Sequence, residues 1–306
     1  MKRTFIINPR AGRGLAPADI AALEEEFRGF GPAEFFIPAS REETTAAARE
    51  ALRRGAEQVV AVGGDGTVNA VVNGFFDNGA PINPRARLAV SCSGGGCDYY
   101  TSITKNAPGT DWRRLVACHD VRMVDVGRVR FAHTAYGERL FVNMASAGMI
   151  ADVVIKRERW NGYLPDWLAY TIPSAMSLFT FRPRPMEITV EGETRRLEAL
   201  AVSVSKGSFA GGGMRFGLNV GLDDGRFEVT VFLKSNPVSM ALRMGKMFSG
   251  EYAGEKEILK LHGRRVEIRC EEPLPVEFDG EVYGATDVVF EVAPRALLVC
   301  APLAPV

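Results

Sequence analysis

Hydrophobic positions follow two rhythms along this chain. In the first third they form short apolar runs alternating with helical stripes. Val59, Val60, Ala61 and Val62 make a run bounded by glycine, which predicts a buried strand. Val68, Val71, Val72, Phe75 and Phe76 then recur at one-face spacing and predict a helix. "TFIINP" predicts an earlier strand, and Ala18 to Phe30 a helix with Ile20, Leu23, Phe27 and Phe30 on one side. Ser40 and Glu43 form a capping box opening a helix that ends near Gly55. "RLAVSCSGGG" is another strand running into glycines. This β-α-β-α-β order predicts a parallel sheet with helices on both faces.

From about residue 125 the rhythm changes to short strands separated by turns. "RLFVNMAS", "MEITVEG", "EALAVSVS", "RFEVTVFL", "RRVEIRC", "LPVEFDG" and "TDVVFEV" alternate or run apolar, with Glu191-Gly192 and Asp224-Gly225 as turn signals. An antiparallel β-sandwich is the expected second domain. The closing "RALLVCAPL" is compatible with finishing that sandwich or with returning to the first domain.

Composition narrows the class. At 306 residues the chain has room for about two domains, and 46% hydrophobic with 24% charged residues is ordinary for a soluble globular protein. Lys plus Arg and Asp plus Glu both number 37, so no global charge argues for nucleic acid, and none is expected as a partner. The apolar start of the chain stops at Asn8-Pro9, too soon for a signal peptide, and no apolar run approaches a transmembrane length. The five cysteines make no CxxC pair, and with three scattered histidines there is no zinc spacing. Reduced thiols in a cytosol are the expectation.

Candidate chemistry concentrates in "GGDGT". Gly63, Gly64 and Gly66 let another molecule approach the main chain at a strand-to-helix turn, where free helix amides favour an anion such as phosphate. Asp65 would repel that phosphate unless Mg2+ bridges the two or the acid handles a proton. The competing reading makes Asp65 a helix cap. No G-x-x-x-x-G-K-[ST] loop occurs elsewhere. Between Ile155 and Pro185, Trp160, Tyr163, Trp167 and Tyr170 lie near Lys156, Arg157 and Arg159. The segment suits a membrane interface, but a helix packing its rings into the interdomain core is the preferred reading.

Taken in order, "NPRAG", "GGDGT", a glycine loop with Asp98, "GGGM" from Gly211, "LDDG" at Leu222 to Gly225 and "DGE" at Asp279 to Glu281 resemble the bacterial diacylglycerol-kinase-like lipid kinases, relatives of sphingosine and ceramide kinases. The resemblance covers nearly the whole chain. It implies an NAD kinase/diacylglycerol kinase-like N-terminal α/β domain over 1–126, a C-terminal β-sandwich lipid-substrate domain over 127–294, and a last strand, 295–306, that returns to the first domain. It also implies ATP and lipid sites in the cleft between the domains.

By the same resemblance, the amides of Gly63, Gly64 and Gly66 with the Thr67 hydroxyl hold nucleotide phosphates, and Asp65 acts through Mg2+. Asn8, Pro9 and Arg10 match a first nucleotide loop, in which Ala11 replaces a hydroxyl residue and Arg10 and Arg13 compensate. Gly94, Gly95, Gly96 and Asp98 match a second nucleotide loop. There "CSGGGCDYY" departs from the usual P-x-G-T-G-N-D-F-A: Cys92 stands for proline, Gly95 for threonine and Cys97 for asparagine. Glu281 is the general base for a lipid hydroxyl, against a reading of "EFDGE" as only a hairpin turn. Asp223 and Asp224 match a site that holds a second, structural Mg2+ in some members, with a solvated turn as the equal alternative.

The function implied is an ATP- and Mg2+-dependent kinase for diacylglycerol or a related lipid alcohol. Two alternatives stand beside it: an NAD kinase-like enzyme sharing "GGDGT", and a nucleotide- or lipid-binding protein without turnover, motivated by "GGGCD". The expected protein is cytoplasmic, touches membrane transiently at its lipid substrate, and has an apolar sheet edge along which a second copy could pair.

Overall fold

Gln58–Val62 is buried at every position because it lies inside a parallel sheet, hydrogen-bonded on one edge to Arg3–Ile7 and on the other to Arg87–Ser91. The computed structural model describes residues 1–306 apart from 13, 93–96, 106, 108, 133–136, 160–165 and 303–306, with backbone alone for 166–170 and 242–244. The described chain divides into two units, Met1–Val126 with Pro294–Val306, and Gly127–Ala293.

The first unit runs β1 (Arg3–Ile7), α1 (Pro17–Arg28), β2 (Ala33–Phe36), α2 (Arg41–Arg53), β3 (Gln58–Val62) and α3 (Asp65–Gly74). A small hairpin follows, β4 (Phe76–Asp77) with β5 (Ala80–Pro81), then β6 (Arg87–Ser91), α4 (Asp98–Thr104), α5 (Trp112–Ala117) and the start of β7 (Val121–Phe131). Its strands lie parallel in the order β2-β1-β3-β6. Phe5 stacks on Phe27 of α1 at 4.3 Å, and Trp112 meets Phe27 edge-on at 5.3 Å, so α1 and α5 share one apolar cluster. The capping box differs by one residue from expectation. Ser40 Oγ accepts from Glu43 N, but the Glu43 carboxylate accepts from Ala39 N at 2.8 Å.

The second unit continues with β8 (Arg139–Phe141), β9 (Met144–Gly148), α6 (Met149–Arg159), α7 (Asp166–Thr180), β10 (Arg184–Val190) and β11 (Glu193–Ser205). Next come β12 (Phe209–Ala210), β13 (Met214–Arg215), β14 (Phe227–Leu233), α8 (Pro237–Ser249), β15 (Ile258–Gly263) and β16 (Arg265–Arg269). It closes with β17 (Pro275–Phe278), β18 (Glu281–Ala285) and the first part of β19 (Val288–Cys300). Pairing here is antiparallel. β11 changes partners along its length: its first half pairs with β10, and beyond a register shift near Ala199/Ala201 it lies between β9 and β14. Phe141, Phe227, Phe278 and Phe290 fill the core this arrangement encloses. The fold is an α/β unit followed by a mainly antiparallel β unit, as the hydrophobic rhythm indicates, with α6, α7 and α8 added to the second unit.

Within β19, Val288–Glu291 of "TDVVFEV" pairs antiparallel with β16, whereas Leu298 and Val299 of "RALLVCAPL" pair parallel with β6 in the first unit. The expectation of reduced thiols needs revision. Cys118 at the end of α5 and Cys300 at the end of β19 form a disulfide, with Cα atoms 5.1 Å apart, and Cys92, Cys97 and Cys270 are in the thiol form. The two cysteines are 182 residues apart in sequence, so spacing gave no hint of the pair. Among the described residues no helix is long and apolar enough to cross a membrane.

Candidate active site

In the first unit the site is built on the β3-α3 turn. Gly63 is required sterically: a Cβ there would come within 2.4 Å of Thr67 Oγ1. That closeness lets Thr67 sit under the turn, where its hydroxyl accepts a hydrogen bond from Asn8 Nδ2 at 2.8 Å. Asn8 is fixed in turn by its own amide on Val62 O and by its Oδ1, which accepts from Arg10 N. The "NPRAG" and "GGDGT" loops are therefore bonded to each other. Gly64 is the N-cap of α3, so Asp65, Gly66 and Thr67 form its first turn; Thr67 N donates to Gly64 O at 3.0 Å and Gly63 N to Ser91 O at 3.1 Å, so these two amides already have acceptors.

Asp65 caps a helix, but not its own. Its Oδ2 accepts from Asp98 N and its Oδ1 from Tyr99 N, both at 2.9 Å, closing the N-terminus of α4. Cys97 Sγ approaches the same carboxylate at 3.6 Å. A carboxylate oxygen can accept more than one hydrogen bond, and this carboxylate serves several donors at once. Asp98 is itself buried, while Arg10 is exposed. The Cys92 and Cys97 thiols hydrogen-bond each other, which lowers the pKa of Cys92 and, together with burial, pushes Cys97 well up. Gly94, Gly95 and Gly96, like Arg13, lie outside the described residues.

In the second unit "DGE" is a two-residue hairpin turn between β17 and β18, with Asp279 at φ +50° and Gly280 at φ +84°. Asp279 is structural: its buried carboxylate accepts from Val142 N, Asn143 N and Met144 N at 2.9 to 3.1 Å. This anchors the turn, and Glu281 follows as the first residue of β18, half-buried. Glu277, four residues earlier, is fully buried and accepts from Ser146 Oγ at 2.6 Å and Gly280 N at 3.1 Å. Burial, with smaller contributions from Asp279 and Glu281, pushes its carboxyl up to about 8. Glu158 of α6 is also raised, by burial and then by Glu281.

The remaining predicted residues sit elsewhere in that unit. Gly211, Gly212 and Gly213 all have positive φ and form the turn between β12 and β13. Asp223 and Asp224 lie in the loop before β14, and Asp224 is ion-paired with Lys206 at 2.7 Å. Among the described residues no group of three His, Cys, Asp or Glu side chains is arranged to hold a metal. Trp160 and Tyr163 lie outside the described residues, as do the side chains of Trp167 and Tyr170. Lys156 turns inward, donating to Asp152, Ser177 and Thr180 between α6 and α7. Sequence reasoning missed Lys206, Glu277 and Asn143. The only signal for Lys206 was a lysine ending the apolar run "ALAVSVSK".

An α/β unit with a glycine-acid strand-to-helix turn, joined to a β-sandwich carrying a buttressed "DGE" hairpin, defines a kinase of the NAD kinase and lipid kinase type. Comparison with known proteins narrows this. Residues 2–129 match the diacylglycerol kinase catalytic domain, and residues 143–301 match the YegS C-terminal NAD kinase beta sandwich-like domain. The chain belongs to the diacylglycerol kinase-like lipid kinase family. It is 27% identical over 290 residues to a diacylglycerol kinase of Bacillus subtilis (strain 168), covering 93% of this chain and 91% of the relative. A diacylglycerol kinase of Staphylococcus aureus (strain JH9) is 25% identical, covering 98% and 93%. A crystal structure of a diacylglycerol kinase from Bacillus anthracis str. Sterne superposes with a TM-score of 0.68 at 22% identity, covering 100% of this chain and 98% of that one. A second solved chain from that organism reaches 0.78, also at 22% identity, covering 99% and 98%.

Proposed function

We propose that the protein transfers the γ-phosphoryl group of ATP to the hydroxyl of diacylglycerol or a related lipid alcohol. The observation that carries this reading is the β3-α3 turn, where a glycine backbone, a helix N-terminus and an acid coincide in a chain of lipid kinase family. Nucleotide phosphates would lie against the amides of Gly64 and Gly66, but not that of Gly63, which donates to Ser91 O at 3.1 Å. Thr67 Oγ1 already accepts from Asn8, so its own proton is available to donate to a phosphate oxygen. Asp65 would hold a Mg2+ ion, whose chemistry there would be neutralisation of phosphate charge. Glu281 would take the proton of the lipid hydroxyl as its oxygen attacks phosphorus, held at the start of β18 by the Asp279 turn. Access to a membrane-borne substrate is supported by exposed Phe179 on α7 and by Val238 and Phe248 on α8, at 68%, 62% and 56% exposure.

The test is transfer of label from the γ-phosphate of ATP to diacylglycerol, monoacylglycerol, phosphatidylglycerol, sphingosine, ceramide and NAD in mixed micelles with Mg2+. We expect label in a glycerolipid, with Glu281→Gln lowering kcat by about 10²- to 10⁴-fold. Label in NAD alone, or ATP binding with no acceptor labelled, would refute the lipid kinase reading.

A further inference from the structure

The turn Leu222–Gly225 is where the family resemblance implies a second, structural Mg2+, and the residues present there do not fit one. A divalent ion in such a turn is held by carboxylate oxygen and main-chain carbonyl. Both kinds of atom are already engaged by one ammonium group. Lys206 Nζ donates to Asp224 Oδ1 at 2.7 Å and to the Arg226 carbonyl at 2.9 Å. The Lys206 side chain has no solvent exposure, while that of Asp224 is 25% exposed. The other Asp224 acceptor directions receive Gly221 N at 3.0 Å, Arg226 N at 3.3 Å and Arg226 Nε at 3.4 Å. A metal ion here would sit against a buried positive charge that has nowhere to withdraw.

We infer that the ammonium of Lys206 is the resident cation of this turn, and that the protein takes no divalent ion at Asp223 and Asp224. A buried ammonium needs a fixed anion to stay charged. Asp224 supplies it, and the hydrogen bonds it receives outweigh burial to hold its carboxyl below the ordinary range. The lysine also ties the turn to another part of the unit. Lys206 N and Gly207 N both donate to Asn143 O, at 2.8 and 2.7 Å. Asn143 N in turn donates to Asp279, which anchors the turn carrying Glu281. A covalently tethered cation thus does what an exchangeable one would do, and the geometry of this network does not depend on free Mg2+.

The test uses the full chain, stripped of metal and nucleotide, and needs no turnover, so it stands apart from the kinase assay. Mn2+ binding is followed by electron paramagnetic resonance in the wild type, Asp65→Asn and Asp224→Asn. We expect no Mn2+ site that Asp224→Asn removes; an ion lost with Asp65→Asn and kept in Asp224→Asn agrees with the inference. A site lost in Asp224→Asn and kept in Asp65→Asn overturns it. Wild-type melting, which requires no variant, should be the same in EDTA as in Mg2+ at matched ionic strength. A rise in Mg2+ that persists in Asp65→Asn also overturns it. Lys206→Met should melt lower by on the order of 5 °C, and a Lys206→Met protein that melts with the wild type would remove the ammonium from the role.

Discussion

The Asp65 carboxylate accepts amide protons from Asp98 and Tyr99, so any substitution there alters a helix terminus as well as the chemistry. Asp65→Asn turns one acceptor into a donor facing an amide. We expect it to lose phosphoryl transfer and also about 1 kcal/mol of stability, seen as a lower melting temperature in the same preparation. Unchanged melting would mean that the cap contributes nothing. Glu277 makes a second residue-level prediction. Its carboxyl titrates near 4.5 when unperturbed but near 8 in the fold, among Ser146, Gly280, Asp279 and Glu281. Between those values the folded protein holds one more proton than the unfolded chain. This group therefore makes stability fall as pH rises through the window, by up to about 1.4 kcal/mol per unit, and level off above it. Melting across pH 5 to 9 should show that decline reduced in Glu277→Gln; an identical profile would mean that the carboxyl is charged throughout. Neither role was legible in the sequence. The helix that Asp65 caps begins 33 residues away, and a glutamate in an alternating strand is ordinarily placed at the surface. Ser146 lies opposite Glu277 across the sheet and supplies the hydrogen bond that makes burial tolerable.

The β3-α3 connection was the most legible element, because it is local: a buried run, glycines and a helical stripe state it within one short window. Gly63 gives the element its test. In Gly63→Ala the new methyl group meets Thr67 Oγ1, breaking the Asn8 contact that joins the two loops. We expect a cost of about 1 to 3 kcal/mol and weaker ATP binding, measured by melting and by nucleotide titration. Wild-type values for both would mean that the turn has room to spare. Elements defined by distant partners were harder to read. β7 did not announce itself as a strand because it carries a buried aspartate and a glycine. Asp125 accepts from Arg295 N at 2.9 Å, and the missing side chain at Gly127 makes room for the Phe141 ring. β2 is short and only half-buried, so its four residues give almost no alternation. β19 reads as two segments because Pro294 and Arg295 interrupt it, Arg295 at φ +47°. That interruption separates the part paired with β16 from the part paired with β6.

For the molecule as a whole, the fold class followed from rhythm alone, whereas the bonds that close the first unit did not. The Cys118–Cys300 disulfide spans 182 residues, and the loop-entropy estimate for so long a closure is about 5 kcal/mol. Reductant should therefore lower the melting temperature of the wild type and leave a Cys118→Ser/Cys300→Ser double variant unmoved. Equal sensitivity in both would place the effect in Cys92, Cys97 or Cys270. The strand that ends at Cys300 also sets an order of events on the ribosome. Residues 127–293 form one continuous stretch, so that unit has all of its chain before Leu298 and Val299 emerge to pair with β6. Until then β6 is an open strand edge in a sheet of buried apolar strands, the kind of surface that seizes a neighbouring chain. The first unit is therefore closed only after the chain of the second has been made, and the nascent protein carries that sticky edge throughout the interval.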